Sequence, residues 1–339
     1  MDKKITIKEI SKLCGVSVAT VSRVINHSGR YSKSTEEKVL AAIEAYNYVP
    51  NAVAQGLRTS RVNSVGIIVP DITNEFFSKV TLSLQNALFK YGCSTIICNT
   101  DEKVDRQMKH LQSLRTQRVS GIVFISSEKV PKDILGDGTP KVFIDRKPAN
   151  SDFYDIPTIE MDNFGGGYMA VMKMISGGCK KIAALFDGRD LSPKISRLSG
   201  YHNAHMSAGI ETDEKLYFPV KNVGFEEGYC NTMKLLDSGK EFDGIFCYTD
   251  TLALGALRAL VERGVKVPEE VQLVGYDDIS AARFCTPPIT TVRQPVEQIG
   301  TLAAEIMMQL IGEEEIQNKH HILPVELISR ATTKGGSFI

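Results

Sequence analysis

The stretch GVSVATVSRVIN, residues 15–26, decides how the first part of the chain folds. Val21, Val24 and Ile25 recur at helical spacing and form one apolar stripe. Gly15 permits a tight turn before them, and Ser17 stands where a hydroxyl can accept the free amides of a helix start. The stretch therefore reads as a turn followed by a helix from Val18 to about Asn26. With the stripe turned inward, Val18, Ala19, Ser22 and Arg23 face outward near the helix start.

The flanks supply two partners for that helix. Thr6-x-x-Glu9 is a capping box that opens a helix through about Leu13, with Ile7, Ile10 and Leu13 on its apolar face. Ser34-x-x-Glu37 caps a third helix, with Val39, Leu40, Ile43 and Tyr46 facing inward, and Ser32 offers a start one turn earlier. Three short helices, the first two joined by a short Gly turn, make a helix-turn-helix. The second helix of that motif lies in the major groove of DNA with its first residues against base edges. Arginine's planar fork matches the two acceptors of guanine there, which gives Arg23 a use that a solvated surface arginine would lack.

Charge points the same way. Residues 1–61 carry ten Lys and Arg against five acids, a surplus of five, and the other 278 residues carry the compensating excess of acids, so the neutral total conceals a basic head on an acidic body. Such a head suits a polyanionic partner. At 339 residues the chain is long enough for two or three domains, and no run approaches the length of a membrane span. The N-terminal MDKKITIKEISK lacks the apolar centre of a signal peptide, so a cytoplasmic protein is expected. Seven cysteines without regular spacing read as reduced thiols used as small hydrophobes.

YVPNAVAQGLRTSR, residues 48–61, comes after the head. Pro50 suits a first helical position, Gly56 weakens the helix around it, and a helix of this length is marginal alone. Leu57 has no local core to join; a wedge between base steps is one use for it, and a plain linker is the competing reading.

The runs ITIKEISKLCGVSVATVSRVIN, TEEKVLAAIEAYNYVPNAVAQGLR and SVGIIVPDITNEFF resemble the lactose-repressor/galactose-repressor family of bacterial transcription regulators, and the resemblance runs through the whole chain. It implies that Val18, Ala19 and Arg23 face operator bases, and that residues 51–59 form a hinge helix in the minor groove with Leu57 as its intercalating side chain. The residues expected on DNA are therefore Thr6, Ser17, Val18, Ala19, Thr20, Ser22, Arg23, Asn26, Asn51, Ala54, Leu57 and Arg58. Gln55-Gly56 stands where many members carry Arg-Ser.

From Val65 onward strands alternate with helices. VGIIVP, STIICNT, GIVFIS and KVFID form one set, and KIAALFD, LYFPV, FDGIFCYT and VQLVGYD a second. Nearly continuous apolar strands between helical patterns mean parallel sheets covered on both faces, and two such sets make two facing units with a cleft between them. The expected fold is a small all-α head on an α/β body of two doubly wound sheets, which the resemblance likens to periplasmic sugar-binding proteins. Its expected parts are residues 1–49, a hinge at 50–61, and a body at 62–339. The body splits into a first half at about 62–161 and 293–327, and a second at about 162–292 and 328–339.

Polar groups at strand ends are the candidates for the cleft, because ligands of these folds bind beyond the carboxyl ends of strands. Asp71, Asp145 with Arg146, Asp250 and Asp277 stand there, and Phe76 and Phe77 open a helix beside them. Sugars need carboxylate and guanidinium partners for their hydroxyls and an aromatic face for their C–H edges. With the resemblance, the expected effector residues are Asp71, Phe76, Phe77, Arg146, Arg197, Phe225, Asp250 and Asp277. For each acid, an N-cap on the next helix is the plainer alternative. Val223 and Thr249 depart from the family's usual aromatic and Asn.

Two rivals remain. Gly165-x-Gly167-x-x-Ala170 suggests a nucleotide-binding enzyme, but Asp162 would oppose a pyrophosphate there, and close helix packing explains the glycines better. A sugar-binding receptor with no DNA role would lack the basic head. No GxSxG, Walker loop or HExxH occurs, and His202-x-x-His205 and His320-His321 read as structural or solvated, so neither enzyme activity nor cofactor nor metal is expected. The expected partners are double-stranded operator DNA, a small sugar-like effector and a second copy of the chain, with no membrane.

Overall fold

A computed structural model describes residues 5–25, 28–46, 48, 62–125, 130–146 and 155–335. Asn26, Asn51, Ala54, Leu57 and Arg58, and with them the expected hinge, lie outside the described residues. The chain divides into two compact units, Met1–Val62 and Asn63–Ile339.

The first unit holds α1 (Ile7–Cys14), α2 (Val18–Ile25) and α3 (Lys33–Ala45). Thr6 and Glu9 form the full capping box: the Thr6 amide donates to Glu9 Oε2 at 2.7 Å and the Glu9 amide to Thr6 Oγ1 at 3.4 Å. Gly15 ends α1 in the left-handed conformation, φ 65°, which costs glycine nothing. Ile10, Val21, Val24 and Val39 are fully buried at the centre, with Ile7, Ile25 and Ile43 packed around them. Ser32, not Ser34, caps α3. Leu13, Leu40 and Tyr46, expected inside, are 53%, 44% and 54% exposed. A core this small buries only one narrow stripe of each helix.

The second unit is built on two sheets. The first orders its strands β11-β5-β4-β3-β1-β2, where β1 is Val62–Val69, β2 Ser94–Asn99, β3 Val119–Ile125, β4 Lys141–Ile144, β5 Thr158–Met161 and β11 His320–Leu323. The second orders them β12-β10-β9-β8-β6-β7, where β6 is Ile182–Asp187, β7 Tyr217–Val220, β8 Gly244–Cys247, β9 Gln272–Tyr276, β10 Thr290–Arg293 and β12 Glu326–Ile328. Neighbours β1–β2, β3–β4, β4–β5, β5–β11, β6–β7, β6–β8, β8–β9 and β9–β10 run parallel; β10–β12 is antiparallel.

Helices cover both faces of each sheet. On β1, Val65, Ile67 and Val69 join one core with α4 (Glu75–Lys90) and α12 (Val296–Ile311), while Ile68 points into the other, with Leu111 and Leu114 of α5 (Val104–Gln117). In the second sheet, α7 (Asn163–Ser176) and α8 (Ser192–Ser207) pack on one face, and α9 (Phe225–Asp237) and α10 (Asp250–Glu262) on the other. Two short helices, α6 (Lys132–Leu135) and α11 (Ser280–Phe284), lie in the connections after β3 and β9.

The chain passes from one sheet to the other at Asp162, at Gln294–Pro295 and at Pro324–Val325. Arg293, Glu326 and Leu327, expected in the first half, therefore belong to the second sheet, where Arg293 pairs with Glu326 and Val292 with Leu327.

The glycines of NFGGGY set helix contacts. A Cβ on Gly167 would lie 2.2 Å from the Arg197 carbonyl oxygen, and one on Gly200 would lie 2.2 Å from that of Phe164, so α7 and α8 touch backbone to backbone. Gly165 donates its amide to Asp162 Oδ1 at 2.8 Å: the start of α7 is capped by the chain's own carboxylate, in the place a pyrophosphate would need. Gly200→Ala is expected to destabilise the second unit by ~1–3 kcal/mol through forced separation of these helices. A thermal melt checks it, and an unchanged midpoint would show that the contact relaxes freely.

Candidate functional site

The head presents one polar face. On α2, Val21 and Val24 are buried, Val18, Ala19, Thr20 and Ser22 are half-buried, and Arg23 is exposed. Arg23 forms no ion pair among the described residues, and its aliphatic stem lies beside Gly29, where a Cβ would meet Arg23 Cδ at 3.4 Å. Thr6 and Ser17, expected on DNA, have hydroxyls engaged in caps: Ser17 Oγ accepts from the Thr20 amide at 3.1 Å and lies 2.9 Å from Thr20 Oγ1. Any contact they make with a duplex runs through geometry these caps have already fixed.

The second unit has a cleft at the carboxyl ends of β1, β4, β6, β8 and β9, with a cavity of about 320 Å³. Of the residues read from sequence, Asp71, Phe76, Phe77, Asp145, Arg146, Arg197 and Asp277 line it. Phe225 and Asp250 do not line it. Phe225 begins α9 and is 42% exposed; Val223, two residues earlier, takes the place on the wall. Asp250 is fully buried, with its carboxylate accepting from Thr291 Oγ1 at 2.6 Å and from the Ile279 amide at 2.9 Å. It ties the start of α10 to the loop after β9 and to β10. Burial drives its acidity down, raising its pKa well above the usual carboxylate range.

Arg197 is the centre of the second half's wall. It is 3% exposed, with Nε donating to Asn163 Oδ1 at 2.8 Å and Nη1 to the Tyr248 carbonyl at 2.7 Å. Its guanidinium lies 3.5 Å from the centre of the Tyr276 ring and 4.5 Å from that of Tyr248. The plane is thereby fixed, and it retains N–H donors for the cavity. The glycine contact of α7 with α8 sets this geometry, since Asn163 opens α7 and Arg197 sits on α8.

Asp277 stands at φ 109° after β9 and accepts from Gln294 Nε2 at 2.6 Å. It is part-exposed toward the cavity yet lies deep in the body, and burial pushes its carboxyl up to about 7, against the pull of Arg197 and the Gln294 bond. Gln294 is 2% exposed, and its Oε1 has no partner among the described residues. That oxygen is an acceptor available to a ligand hydroxyl.

Among the described residues, seven other than glycine have positive φ, and Asp101, Glu102, Asp145 and Asp277 of these line the cavity. Such strain gathers where side chains are held for a purpose other than folding. Sequence reading missed Asn74, Asp101, Glu102, Asp187, Arg189, Asn222, Tyr248 and Gln294 on the wall. Asp187 closes a strand, and Tyr248 directly follows the run read as a strand in FDGIFCYT, which was signal enough to find both. Gln294 follows β10, a strand with no apolar run to announce it, and the rest come from loops and helix starts with no local mark.

Among the described residues, no cluster of three or more His, Cys, Asp or Glu is arranged to hold a metal ion, and no helix is long and apolar enough to cross a membrane. His205 is buried, with Nδ1 2.9 Å from the Tyr201 carbonyl, and His202 lies beside Tyr217.

Residues 6–51 match the family model described as bacterial regulatory proteins of the lacI family, and residues 171–333 match a periplasmic binding protein-like domain. The ribose operon repressor of Halalkalibacterium halodurans is 32% identical over 332 residues, covering 98% of each chain. The transcriptional repressor PurR of Vibrio atlanticus is 33% identical over 339 residues, 97% of this chain and 98% of that one. Among solved structures, the lac repressor dimer bound to operator and the anti-inducer ONPF matches with a TM-score of 0.86 at 27% identity, covering 98% of this chain and 100% of that one. A LacI family transcriptional regulator from Enterococcus faecium with bound ribose matches with a TM-score of 0.72 at 29% identity, covering 80% of this chain and 98% of that one. These relatives are transcriptional regulators, and the extent of the likeness leaves one conclusion: the chain belongs to the lacI family of bacterial regulatory proteins.

Proposed function

We propose that the chain is a sequence-specific DNA-binding regulator, a repressor of a carbohydrate-utilisation operon, controlled by a small sugar-like effector and acting in the cytoplasm as a homodimer. One observation carries this reading: a single chain joins a helix-turn-helix face bearing exposed Arg23 to a cleft walled by carboxylates, guanidinia and one apolar platform. Either part alone has other uses. Together they make a protein that reads DNA and a metabolite. The named relatives support it, three being repressors by name and one solved structure holding ribose.

A single recognition helix makes too few base contacts to select one genomic site, so two copies related by a twofold axis would read a pseudo-palindrome. In this reading the effector alters the angle between the two sheets, and operator affinity changes with it because the separation of the paired heads must match the half-site spacing. Asp71, Asp277, Arg197 and Gln294 offer acceptors and donors for vicinal hydroxyls, and Phe76 and Phe77 offer the apolar face that a sugar ring needs.

Arg23→Ala tests the DNA half. Operator binding, followed by fluorescence anisotropy on duplexes the chain selects from genomic DNA, should weaken by ~1–3 kcal/mol, with discrimination relaxed at one base pair. An equal loss on scrambled duplex would reduce Arg23 to a phosphate contact. The same assay tests the effector half with a panel of sugars: a selected duplex that no sugar releases or tightens speaks against carbohydrate control.

A further inference from the structure

Glu102 lies in the loop between β2 and α5, where Asp101 at φ 49° and Glu102 at φ 55° are successive left-handed residues, neither of them glycine. The loop holds the Glu102 carboxylate between two arginines of the cavity wall. Oε1 is 3.5 Å from Arg146 Nη2, on the first half of the body, and Oε2 pairs with Arg189 Nη1, on the second. Arg189 is itself fixed by Asp187, with Nε–Oδ1 at 2.9 Å and Nη2–Oδ2 at 2.6 Å. Arg146 is anchored by burial, its side chain 8% exposed. One carboxylate thus bridges guanidinium groups that come from opposite sides of the cleft.

Two guanidinium groups converging on one two-oxygen anion is how a protein holds the phosphate or carboxylate of a ligand. Here the anion belongs to the chain. We propose that Glu102 is a specificity-determining residue: its carboxylate fills, as an internal anion, the place between Arg146 and Arg189 that an anionic ligand group would take. This rests on the cavity's being the effector site. The cleft then accepts uncharged polyhydroxylated compounds and turns away their phosphorylated and carboxylated forms. The rest of the wall agrees, since Asp71, Asp101, Asp145 and Asp187 join Glu102 against only three arginines. An incoming anion would have to displace Glu102 from both guanidinium groups and then lie within that excess of negative charge. The same bridge ties the two halves together, as does the Glu75 carboxylate, which accepts from the Ser280 amide at 2.8 Å and from its hydroxyl at 2.6 Å.

The test uses the full chain and inorganic phosphate, so it does not depend on knowing the effector. Thermal unfolding is followed as phosphate is titrated against chloride at matched ionic strength, for the wild type, Glu102→Gln, and Glu102→Gln with Arg189→Gln. The wild type should show no saturable rise. Glu102→Gln should show one, with an apparent phosphate affinity at least about tenfold tighter, the weight of a charge-assisted hydrogen bond. The double variant should lose it. Each variant is compared with itself in chloride, so lower stability alone cannot mimic the result, and Glu102→Ser serves if the glutamine variant does not fold. Saturable phosphate binding by the wild type overturns the proposal, and so does its absence from every Glu102 variant. If no sugar changes operator binding, the reading of the cavity as a sugar site fails, while the phosphate titrations still decide what Glu102 does.

Discussion

Arg197→Ala is expected to abolish the effector response while operator binding by the ligand-free chain persists, provided the effector acts as an inducer. The alanine removes the cationic group held between Tyr248 and Tyr276 and takes away donors from the cavity wall. It also leaves acceptors buried: Asn163 Oδ1 loses its 2.8 Å bond and the Tyr248 carbonyl its 2.7 Å bond. Asp277 loses the positive charge that favours its ionised form, so its proton is held more firmly still. Breaking a buried charged network from one side costs on the order of 3–5 kcal/mol, so the melting temperature of the body should fall as well. Arg197→Lys separates the two effects. A lysine restores charge without the planar fork, so it should recover part of the stability and little of the response. The response is read by titrating the effector into an operator complex and following anisotropy. A normal titration in Arg197→Ala would remove this residue from the site. A lost response with unchanged stability would show that the network around it relaxes.

The head was legible in detail because its signals are local. The capping box of Thr6 and Glu9, the left-handed Gly15 and the buried stripe of α2 each depend on residues within a turn of one another. Leu13, Leu40 and Tyr46 escaped because helical periodicity marks a possible inner face and cannot say how much of it a small core will cover. In the body, apolar runs identified the central strands. β10 escaped because TTVR has no such run; it becomes a strand by lying between β9 and β12, with Thr291 held by Asp250. The half-polar TIEM, poor as a central strand by composition, pairs with both β4 and β11.

Strand ends carried the site only so far. The same signal, an acid closing a strand, selected Asp277, which faces the cavity, and Asp250, which turns away to hold a loop. The difference is a side-chain direction fixed by the partners of Asp250, Ile279 and Thr291, which lie far from it in sequence. Glu102 and Arg189 are 87 residues apart, and no local pattern links them. Their pairing is a product of topology.

Asp277→Asn is expected to stabilise the body at pH 8 and to weaken or abolish effector control, a gain and a loss from one atom. In the folded chain the Asp277 carboxyl titrates at about 7, above an ordinary value of 3.8, because burial disfavours its charge by more than Arg197 and the Gln294 bond favour it. The direction of the pH dependence comes from that displacement. Well below pH 4 both folded and unfolded chains hold the proton, and Asp277 contributes nothing to the pH dependence. Between about 4 and 7 the unfolded chain releases its proton first, so wild-type stability falls as pH rises, and the deficit levels off above about 7. Asparagine has no charge to desolvate. It retains an acceptor for Gln294 Nε2 and tolerates positive φ better than most residues. The advantage of the variant should therefore be small at pH 4, grow toward pH 7 and hold at pH 8. At roughly 1.4 kcal/mol for each tenfold change in proton affinity, and discounting for water in the open cavity, it amounts to a few kcal/mol at most. Paired melts of the two chains at pH 4, 6 and 8 measure it directly. A wild type that is the more stable at pH 8 would mean that attraction to Arg197 and the Gln294 bond outweigh burial, so that folding favours the ionised carboxylate and does not oppose it. The effector titration supplies the other half: the amide cannot accept two strong hydrogen bonds from vicinal hydroxyls as a carboxylate does, so binding should weaken even as the fold tightens. Stability given up to hold a buried acid in the cleft, together with lost binding in the amide variant, is the pair of results expected of a site that takes hydroxyl groups.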